Sequence, residues 1–102
     1  MTEAAPVVLI NVFKCDPAHQ ETLMDHLTAM ARIQSGLDGF VSQTVHRGLN
    51  GKVVVNHAVW ASAEAWKAMA RHPAVAAAMD PIMTIATFEP HLYEPGTVIT
   101  PA

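Results

Sequence analysis

The segment Val53-Val54-Val55-Asn56-His57-Ala58-Val59-Trp60 decides the fold, because it has the composition of a buried β-strand with one amide and a terminal indole. Successive side chains of a strand point to opposite faces, so Asn56, Ala58 and Trp60 share one face. An asparagine in a valine-rich strand is costly to bury unless its amide finds partners. An amide and an indole on one face therefore predict a mostly apolar pocket with one polar side chain in it, which is how small-molecule sites are usually built.

The alternating residues 40–47 predict a preceding strand, and Asn50-Gly51 between the two strands is the strongest hairpin signal in the chain. A two-residue or a four-residue loop gives the same opposed pairs: Asn56 with Val45, Ala58 with Gln43, and Trp60 with Val41. One face of the hairpin then carries Val41, Gln43, Val45, Val54, Asn56, Ala58 and Trp60. The other face mixes apolar residues with small polar groups and histidines: Phe40, Ser42, Thr44, His46, Val53, Val55, His57 and Val59. This second face predicts a sheet-to-sheet contact with another copy of the chain.

A strand and a helix are predicted before the hairpin. Residues 7–14 form the strand, and Asn11 lies on the side that we assign to the helices. Asp16 and Pro17 are suited to be the cap and the first residue of a helix over 17–34. The apolar stripe of this helix, at three-and-four spacing, consists of Leu23, Leu27, Met30 and either Ile33 or Ala31.

A second helix is predicted after the hairpin. Ser62 is its cap, Glu64 lies in its first turn, and Trp66 and Met69 share one side. Pro73 breaks or restarts the helix, and a short helical piece follows to about residue 79.

The last strand is predicted over residues 84–94, after a turn at Asp80-Pro81, and Pro90 indicates an edge or a bulge in it. The order is then β-α-β-β-α-β, the ferredoxin-like pattern of α+β proteins, with helices on one face of an antiparallel sheet. We expect a single domain over residues 1–102, with its core between about 7 and 94 and loose ends.

The composition is that of a globular protein, with 51% hydrophobic and 15% charged residues in 102. So much apolar surface in so small a domain favours a homo-oligomer. A net charge of −3 with six Lys and Arg argues against nucleic-acid partners and anionic membranes. A single cysteine, Cys15, fits a reducing compartment, and we find neither a leader peptide nor a membrane span, so we expect a cytoplasmic protein.

Motifs for cofactors and nucleophiles are missing from the sequence. The five glycines form no phosphate-binding loop, and no G-x-S-x-G is present. Six histidines invite a metal interpretation, but none forms H-x-x-x-H or H-E-x-x-H. We therefore expect no metal and no flavin or nucleotide cofactor.

The segment from Gly39-Phe40-Val41-Ser42 through the Asn50-Gly51 turn to Asn56-His57-Ala58-Val59-Trp60 resembles the antibiotic biosynthesis monooxygenase family. The later segments Ser62–Trp66 and Phe88–Tyr93 share this resemblance, which spans about residues 7–94. It implies a dimeric α+β barrel with a pocket between the sheet and the helices of each subunit. It also implies similarity to cofactor-independent anthrone oxygenases, in which an Asn and a Trp four residues later line the pocket.

The resemblance assigns roles to individual residues. Asn56 and Trp60 match the Asn and Trp pair, and Asn11 matches an Asn that some members add from the first strand, so these three would carry catalysis. Trp66 stands where some members have a Tyr. Haem-degrading relatives need a His ligand on a helix, and this chain has Met79 near the corresponding position.

Each candidate also has an ordinary structural interpretation. Asn56 and Asn11 could be amides satisfied within the fold, and Trp60 could be a core aromatic. Four residues could bind a substrate or simply pack: Gln43, Trp66, Met69 and Tyr93. The histidines His46 and His57 fit an interface better than catalysis, and His72 fits a helix end.

Three functions follow as hypotheses. The first is a monooxygenase that oxidises a quinol or an anthrone with molecular oxygen, since such a substrate can reduce oxygen itself. The second is a dimeric barrel that binds a small apolar ligand without turnover. The third, which the missing His disfavours, is haem degradation.

Overall fold

A computed structural model describes residues 5–102. Residues 1–4, part of the segment in which we expect no leader peptide, lie outside the described residues. Four strands form one antiparallel sheet: β1 (Val7–Cys15), β2 (Phe40–Arg47), β3 (Val53–Trp60) and β4 (Ala86–Tyr93). Their order is β2-β3-β1-β4, which confirms the predicted ferredoxin-like α+β fold and places the Pro90 strand at an edge.

Three helices cover one face of this sheet: α1 (Gln20–Gln34), α2 (Ala63–Ala70) and α3 (Pro73–Met83). A short 3₁₀ turn over Pro17–His19 leads into α1, and Asp16 caps this turn by accepting a hydrogen bond from the Ala18 N–H at 2.9 Å. Ser62 caps α2 in the same way, through the Ala65 N–H at 3.1 Å. Both predicted caps are confirmed.

The predicted turn at Asp80-Pro81 is wrong, because α3 continues through Pro81 to Met83 and β4 begins only at Ala86. Proline lacks the N–H for a helical hydrogen bond. Ile82 is fully buried, and the burial of its side chain offsets that missing bond.

The hairpin between β2 and β3 has the predicted register for two of its three opposed pairs, Val45 with Asn56 and Gln43 with Ala58. The Gly48 N–H donates to the Val53 carbonyl at 2.7 Å, which closes a loop of four residues between them.

The third predicted pair is wrong, because a bulge at Val41 puts Phe40 instead opposite Trp60. Phe40 thereby moves to the helix-covered face, where its ring meets the Trp60 indole edge-on at 5.4 Å. Val41 is left 57% exposed.

The core lies between the helices and the sheet. In α1 the buried stripe contains Leu23, Leu27 and Met30, as predicted. The next buried residue is Gln34 and not the expected Ile33, which is 38% exposed.

Gly39 brings α2 close to the start of β2. Its φ is +85°, a conformation that favours glycine, and a Cβ at this position would overlap the Cβ of Ala65. The Gly39 carbonyl also accepts a hydrogen bond from the Ala61 N–H at 2.7 Å. The backbone of residue 39 is therefore in direct contact with the first turn of α2.

The opposite face of the sheet, here called the open face, carries the half-buried valines and isoleucine of the two central strands: Val8, Ile10, Val12, Val53, Val55 and Val59. Beyond β4 the chain has no regular structure, and Val98 and Ile99 are exposed there. None of the helices in residues 5–102 has the length and apolar character that crossing a membrane requires.

Candidate active site

A cavity of about 270 Å³ lies between the sheet and the helices, at the lower edge of the volumes typical for small-molecule sites. Every helix and every strand except β2 contributes to its lining: Leu9, Asn11, Met30, Gln34, Asn56, Trp66, Met69, Ala70, Val75, Met79, Met83, Phe88 and Pro90. None of these side chains is titratable, so the cavity is apolar and uncharged, with a few polar atoms in it.

Two asparagines form the floor of the cavity. Asn11 of β1 and Asn56 of β3 are directly opposed in the sheet, and opposed residues of antiparallel strands point to the same face. Both lie on the helix-covered face, and Asn56 is only 2% exposed. The alternation of side chains along the two strands thus brings two amides together beneath the helices.

The buried amide of Asn56 has one hydrogen-bond partner in the described part of the chain. The Nε2 of Gln43 donates to its Oδ1 at 2.8 Å. Among the side-chain hydrogen bonds within residues 5–102, none has the Nδ2 of Asn56 as its donor. This NH₂ group is therefore left to donate to a molecule in the cavity.

Three polar atoms on lining residues are buried and have no hydrogen-bond partner within residues 5–102: Asn11 Oδ1, Gln34 Oε1 and Trp66 Nε1. A buried polar group without a partner costs about 1–3 kcal/mol, so such groups are rare in folded proteins. Two acceptors and one donor around one cavity indicate a ligand with both hydroxyl and carbonyl or enolate oxygens.

The apolar wall of the cavity is rich in methionine. Four of the six methionines in the chain line it: Met30, Met69, Met79 and Met83. Unbranched thioether side chains adapt to irregular shapes and contact aromatic rings favourably. The mouth of the cavity lies between α3 and β4, where the exposed residues Met83, Phe88 and Pro90 line it.

The cavity brings together four of the predicted site residues, Asn11, Asn56, Trp66 and Met69. Gln43 does not line it, but its side chain hydrogen-bonds to Asn56, which does.

Trp60 and Tyr93 are not brought to the cavity within this chain. Trp60 shares the face of Asn56, but it is 1% exposed and packs against Phe40 in the core. Tyr93 lies opposite Val8 on the open face, where its ring is 6.4 Å from that of His91. Its partner Val8 is three residues from Asn11, and because side chains alternate along a strand, Tyr93 points away from the cavity.

Gln34 is the polar lining residue that the sequence interpretation missed. It follows Met30 by four residues and so falls on the buried stripe of α1, where a polar side chain is unusual. Within residues 5–102 its Nε2 donates to the Met69 sulfur at 3.2 Å, which is a weak acceptor. A polar residue at a core position of a periodic helix was the available signal.

The charged and metal-binding side chains lie elsewhere. Within residues 5–102 no three His, Cys, Asp or Glu side chains are grouped as a metal site would require. His72, the nearest histidine in sequence to the haem-ligand position, accepts a hydrogen bond from the Ala74 N–H and caps α3, as predicted for a helix end. The hydrogen bond from Arg47 lowers the pKa of the exposed Glu21, and burial together with Asp16 raises the pKa of Cys15.

Comparison with known proteins identifies relatives with this architecture. The family model for antibiotic biosynthesis monooxygenase matches residues 6–81. Tetracenomycin-F1 monooxygenase of Streptomyces glaucescens is 39% identical over 66 residues, which are 64% of this chain and 59% of that protein. The chain therefore matches less than two thirds of the length of this relative.

Solved structures share the fold across nearly the whole chain. SnoaB, a cofactor-independent oxygenase from Streptomyces nogalater, superposes with a TM-score of 0.81 at 23% identity, covering 94% of this chain and 98% of SnoaB. A protein from Mycobacterium tuberculosis gives a TM-score of 0.81 at 19% identity, covering 94% of this chain and 100% of its own. With the family model matched over residues 6–81, the chain belongs to the antibiotic biosynthesis monooxygenase family.

Proposed function

We propose that this protein is a cofactor-independent monooxygenase that oxidises an electron-rich hydroxylated aromatic, a quinol or an anthrone, with molecular oxygen. One observation carries the proposal: the free NH₂ group of Asn56 lies beside Asn11 on the floor of an apolar, uncharged cavity. A donor of this kind stabilises an oxyanion that develops on the substrate during reaction.

The chemistry of this substrate class needs no redox group from the protein. When an anthrone loses a proton, the resulting enolate is electron-rich enough to reduce oxygen. Conversion of its CH₂ to a carbonyl by one O₂ releases one water, so the substrate supplies all four electrons. The protein has to orient the ring, stabilise the enolate and exclude bulk water.

The polar atoms of the cavity match such a substrate. The NH₂ of Asn56 and the indole N–H of Trp66 would donate to the enolate or carbonyl oxygens. The unpartnered oxygens of Asn11 and Gln34 would accept from ring hydroxyls. Because no lining side chain is titratable, the proton would leave to water at the mouth, driven by the lowered pKa of the bound substrate.

The relatives support this reaction class. The likeness to tetracenomycin-F1 monooxygenase covers 66 residues with 39% identity, and that relative is named as a monooxygenase of tetracenomycin F1. SnoaB is described as a cofactor-independent oxygenase.

Oxygen uptake on a panel of quinols and anthrones tests the proposal. The wild type should consume oxygen with at least one member, and Asn56→Ala should lose most of this activity. Asn50→Ala is the matched control, because Asn50 lies in the hairpin loop, away from the cavity, where its side chain accepts a hydrogen bond from the Lys52 N–H. Equal turnover by the wild type and Asn56→Ala would remove Asn56 from the mechanism.

A second candidate is a barrel that binds a small apolar ligand without turnover, and the lack of a titratable group in the cavity favours it. Tight binding of a panel member without oxygen consumption would support this function over the first. Haem handling is tested by mixing with hemin, where we expect no Soret shift because His72 is committed to capping α3.

A homodimer is part of the proposal. The half-buried valines of the open face form an apolar surface that a second copy would cover sheet to sheet. The cytoplasm remains the predicted location, and small aromatic molecules and oxygen remain the predicted partners.

A further inference from the structure

Gln43 contacts the floor of the cavity without lining it. It lies on the edge strand β2 opposite Ala58, so it is diagonal to Asn56 on β3. Its Nε2 donates to the Asn56 Oδ1 at 2.8 Å, and this hydrogen bond is partly buried. The contact joins two side-chain amides, each of which could turn by half a rotation and exchange its donor with its acceptor.

The orientation of the two amides decides what the cavity offers to a ligand. With the Oδ1 of Asn56 held by Gln43, the NH₂ of Asn56 is free to donate. If both amides were turned, Asn56 would offer an oxygen, and the NH₂ of Gln43 would be the buried group without a partner. In the observed orientation the unpartnered atom is instead the Gln43 Oε1. An unsatisfied carbonyl is tolerated more often than an unsatisfied N–H, which favours the observed orientation.

We propose that Gln43 is a positioning residue that fixes Asn56 as a donor and thereby makes the cavity select ligands with a phenolate or enolate oxygen at this point. The effect of Gln43 on turnover rests on the proposed function, whereas its effect on the Asn56 amide does not. Gln43 itself need not touch the ligand, because it acts through the amide that does.

Two substitutions separate this role from simple packing. Gln43→Met keeps the length of the side chain but removes the donor, so the Asn56 amide is free to turn. Gln43→Glu replaces the donor with a carboxylate that only accepts, so Asn56 must donate its NH₂ to residue 43 and present its oxygen to the cavity. The polarity of the site is then reversed with little change in shape.

The first experiment uses a dihydroxyanthraquinone as a probe, since its phenolate has a distinct visible band and it is already oxidised. Absorbance titration of the bound probe should show its lowest pKa in the wild type, a higher pKa in Gln43→Met, and the highest in Gln43→Glu. Oxygen uptake should fall in the same order, toward the roughly 10²–10³-fold loss expected when an oxyanion donor is removed.

A double-mutant cycle shows whether Gln43 acts through Asn56. In the Asn56→Ala background, Gln43→Met should have no further effect on the probe pKa or on turnover. Additive effects of the two substitutions would overturn the proposal, as would a probe pKa that is unchanged in both Gln43 variants. Circular dichroism of each variant verifies that it is folded.

An NMR measurement tests the proposal in the protein without ligand. In isotope-labelled protein, the side-chain NH₂ of Gln43 should exchange slowly with solvent, and Asn56→Ala should accelerate its exchange. The NH₂ of Gln20, which donates to the Gly48 and Val53 carbonyls, is the internal control and should keep its rate. Equal Gln43 exchange in both proteins would overturn the proposal.

The two levels of proposal fail separately. If Asn56 protects the Gln43 amide but no panel member is oxidised, the monooxygenase proposal fails and the positioning role stands. If oxygen uptake occurs and depends on Asn56 but not on Gln43, the positioning role fails alone.

Discussion

Asn11 and Asn56 lie directly opposite each other across β1 and β3, beneath the same cavity. Two amides that approach one ligand from adjacent strands should act on it jointly rather than independently.

The asparagine pair is therefore expected to show coupling in its kinetics. Asn56→Ala should lower kcat/KM by about 10²–10³-fold, as for the loss of one oxyanion donor. Asn11→Ala should lower kcat/KM less, because the unpartnered atom of Asn11 is its Oδ1, which accepts a hydrogen bond and does not stabilise an oxyanion. The double variant should lose less than the product of the two, and fully multiplicative losses would show that the amides do not share one ligand.

The two ends of α1 carry buried glutamines with opposite hydrogen-bonding states. Gln20 donates to two backbone carbonyls, whereas the Oε1 of Gln34 has no partner. Gln34→Leu should raise the free energy of unfolding by about 1 kcal/mol, since it removes an unsatisfied buried group. Gln20→Leu should lower it by a similar amount, because it removes two side-chain hydrogen bonds to the Gly48 and Val53 carbonyls.

Urea denaturation of both variants and the wild type measures these free energies. Loss of stability in Gln34→Leu as large as in Gln20→Leu would contradict the expectation. Weaker binding of hydroxylated aromatics by the stabilised Gln34→Leu would show that the unsatisfied oxygen serves the site.

The two tryptophans should respond differently to replacement by phenylalanine. Trp66→Phe removes an unpartnered indole N–H from the cavity, so ligand affinity should fall while stability changes little. Trp60→Phe opens space in the core beside Phe40, so stability should fall by about 1–3 kcal/mol with KM nearly unchanged. Thermal denaturation and ligand titration of both variants distinguish these outcomes, and the reverse pattern would place Trp60 rather than Trp66 at the site.

The open face is expected to hold two copies together. Val55→Asp puts a charge among its valines and should convert a dimer into a monomer. Leu49→Asp is the control, because Leu49 is fully exposed in the hairpin loop and should leave the mass unchanged. Light scattering at micromolar concentration gives the mass, and a monomeric wild type would contradict the dimer.

The ion pair between Glu21 and Arg47 predicts a small pH-dependent contribution to stability. Arg47 donates to Glu21 at 2.7 Å and lowers the pKa of this carboxyl below its usual value. A carboxyl whose pKa is lower in the folded state stabilises the fold above its unfolded pKa, and the contribution is lost as pH falls through the folded value.

Glu21→Gln should therefore have a slightly lower Tm than the wild type at neutral pH. The difference should vanish in acid, below the lowered pKa of Glu21. Because both side chains are exposed, raising the salt concentration should also reduce it. A difference that grows in acid would contradict the assigned direction of the pKa shift.

Strand alternation was sufficient to predict where the amides lie. Asn11 and Asn56 each have apolar residues two positions before and after them in regular strands, and the period of two put both on the helix-covered face. The same argument failed at Phe40 and Val41, because a bulge adds one residue to β2 and nothing in the local pattern reveals it.

The rest of the site depended on packing that sequence patterns do not show. Alternation put Trp60 on the correct face, but the contact with Phe40 that follows from the bulge keeps it in the core. Tyr93 could not be placed without the register of β4 against β1. Gln34 was missed because the stripe of α1 was completed with apolar Ile33 or Ala31, although the helix buries the residue that follows Ile33.

The close approach of Gly39 to Ala65 means that the shape of the cavity depends on a residue that does not line it. Any side chain at residue 39 would press on the helix that carries Trp66 and Met69, and would shift both relative to the sheet. The range of accepted substrates could therefore be altered by a substitution at residue 39, outside the cavity lining, combined with Ala65→Gly to relieve the Cβ overlap, although the backbone strain at a φ of +85° would remain.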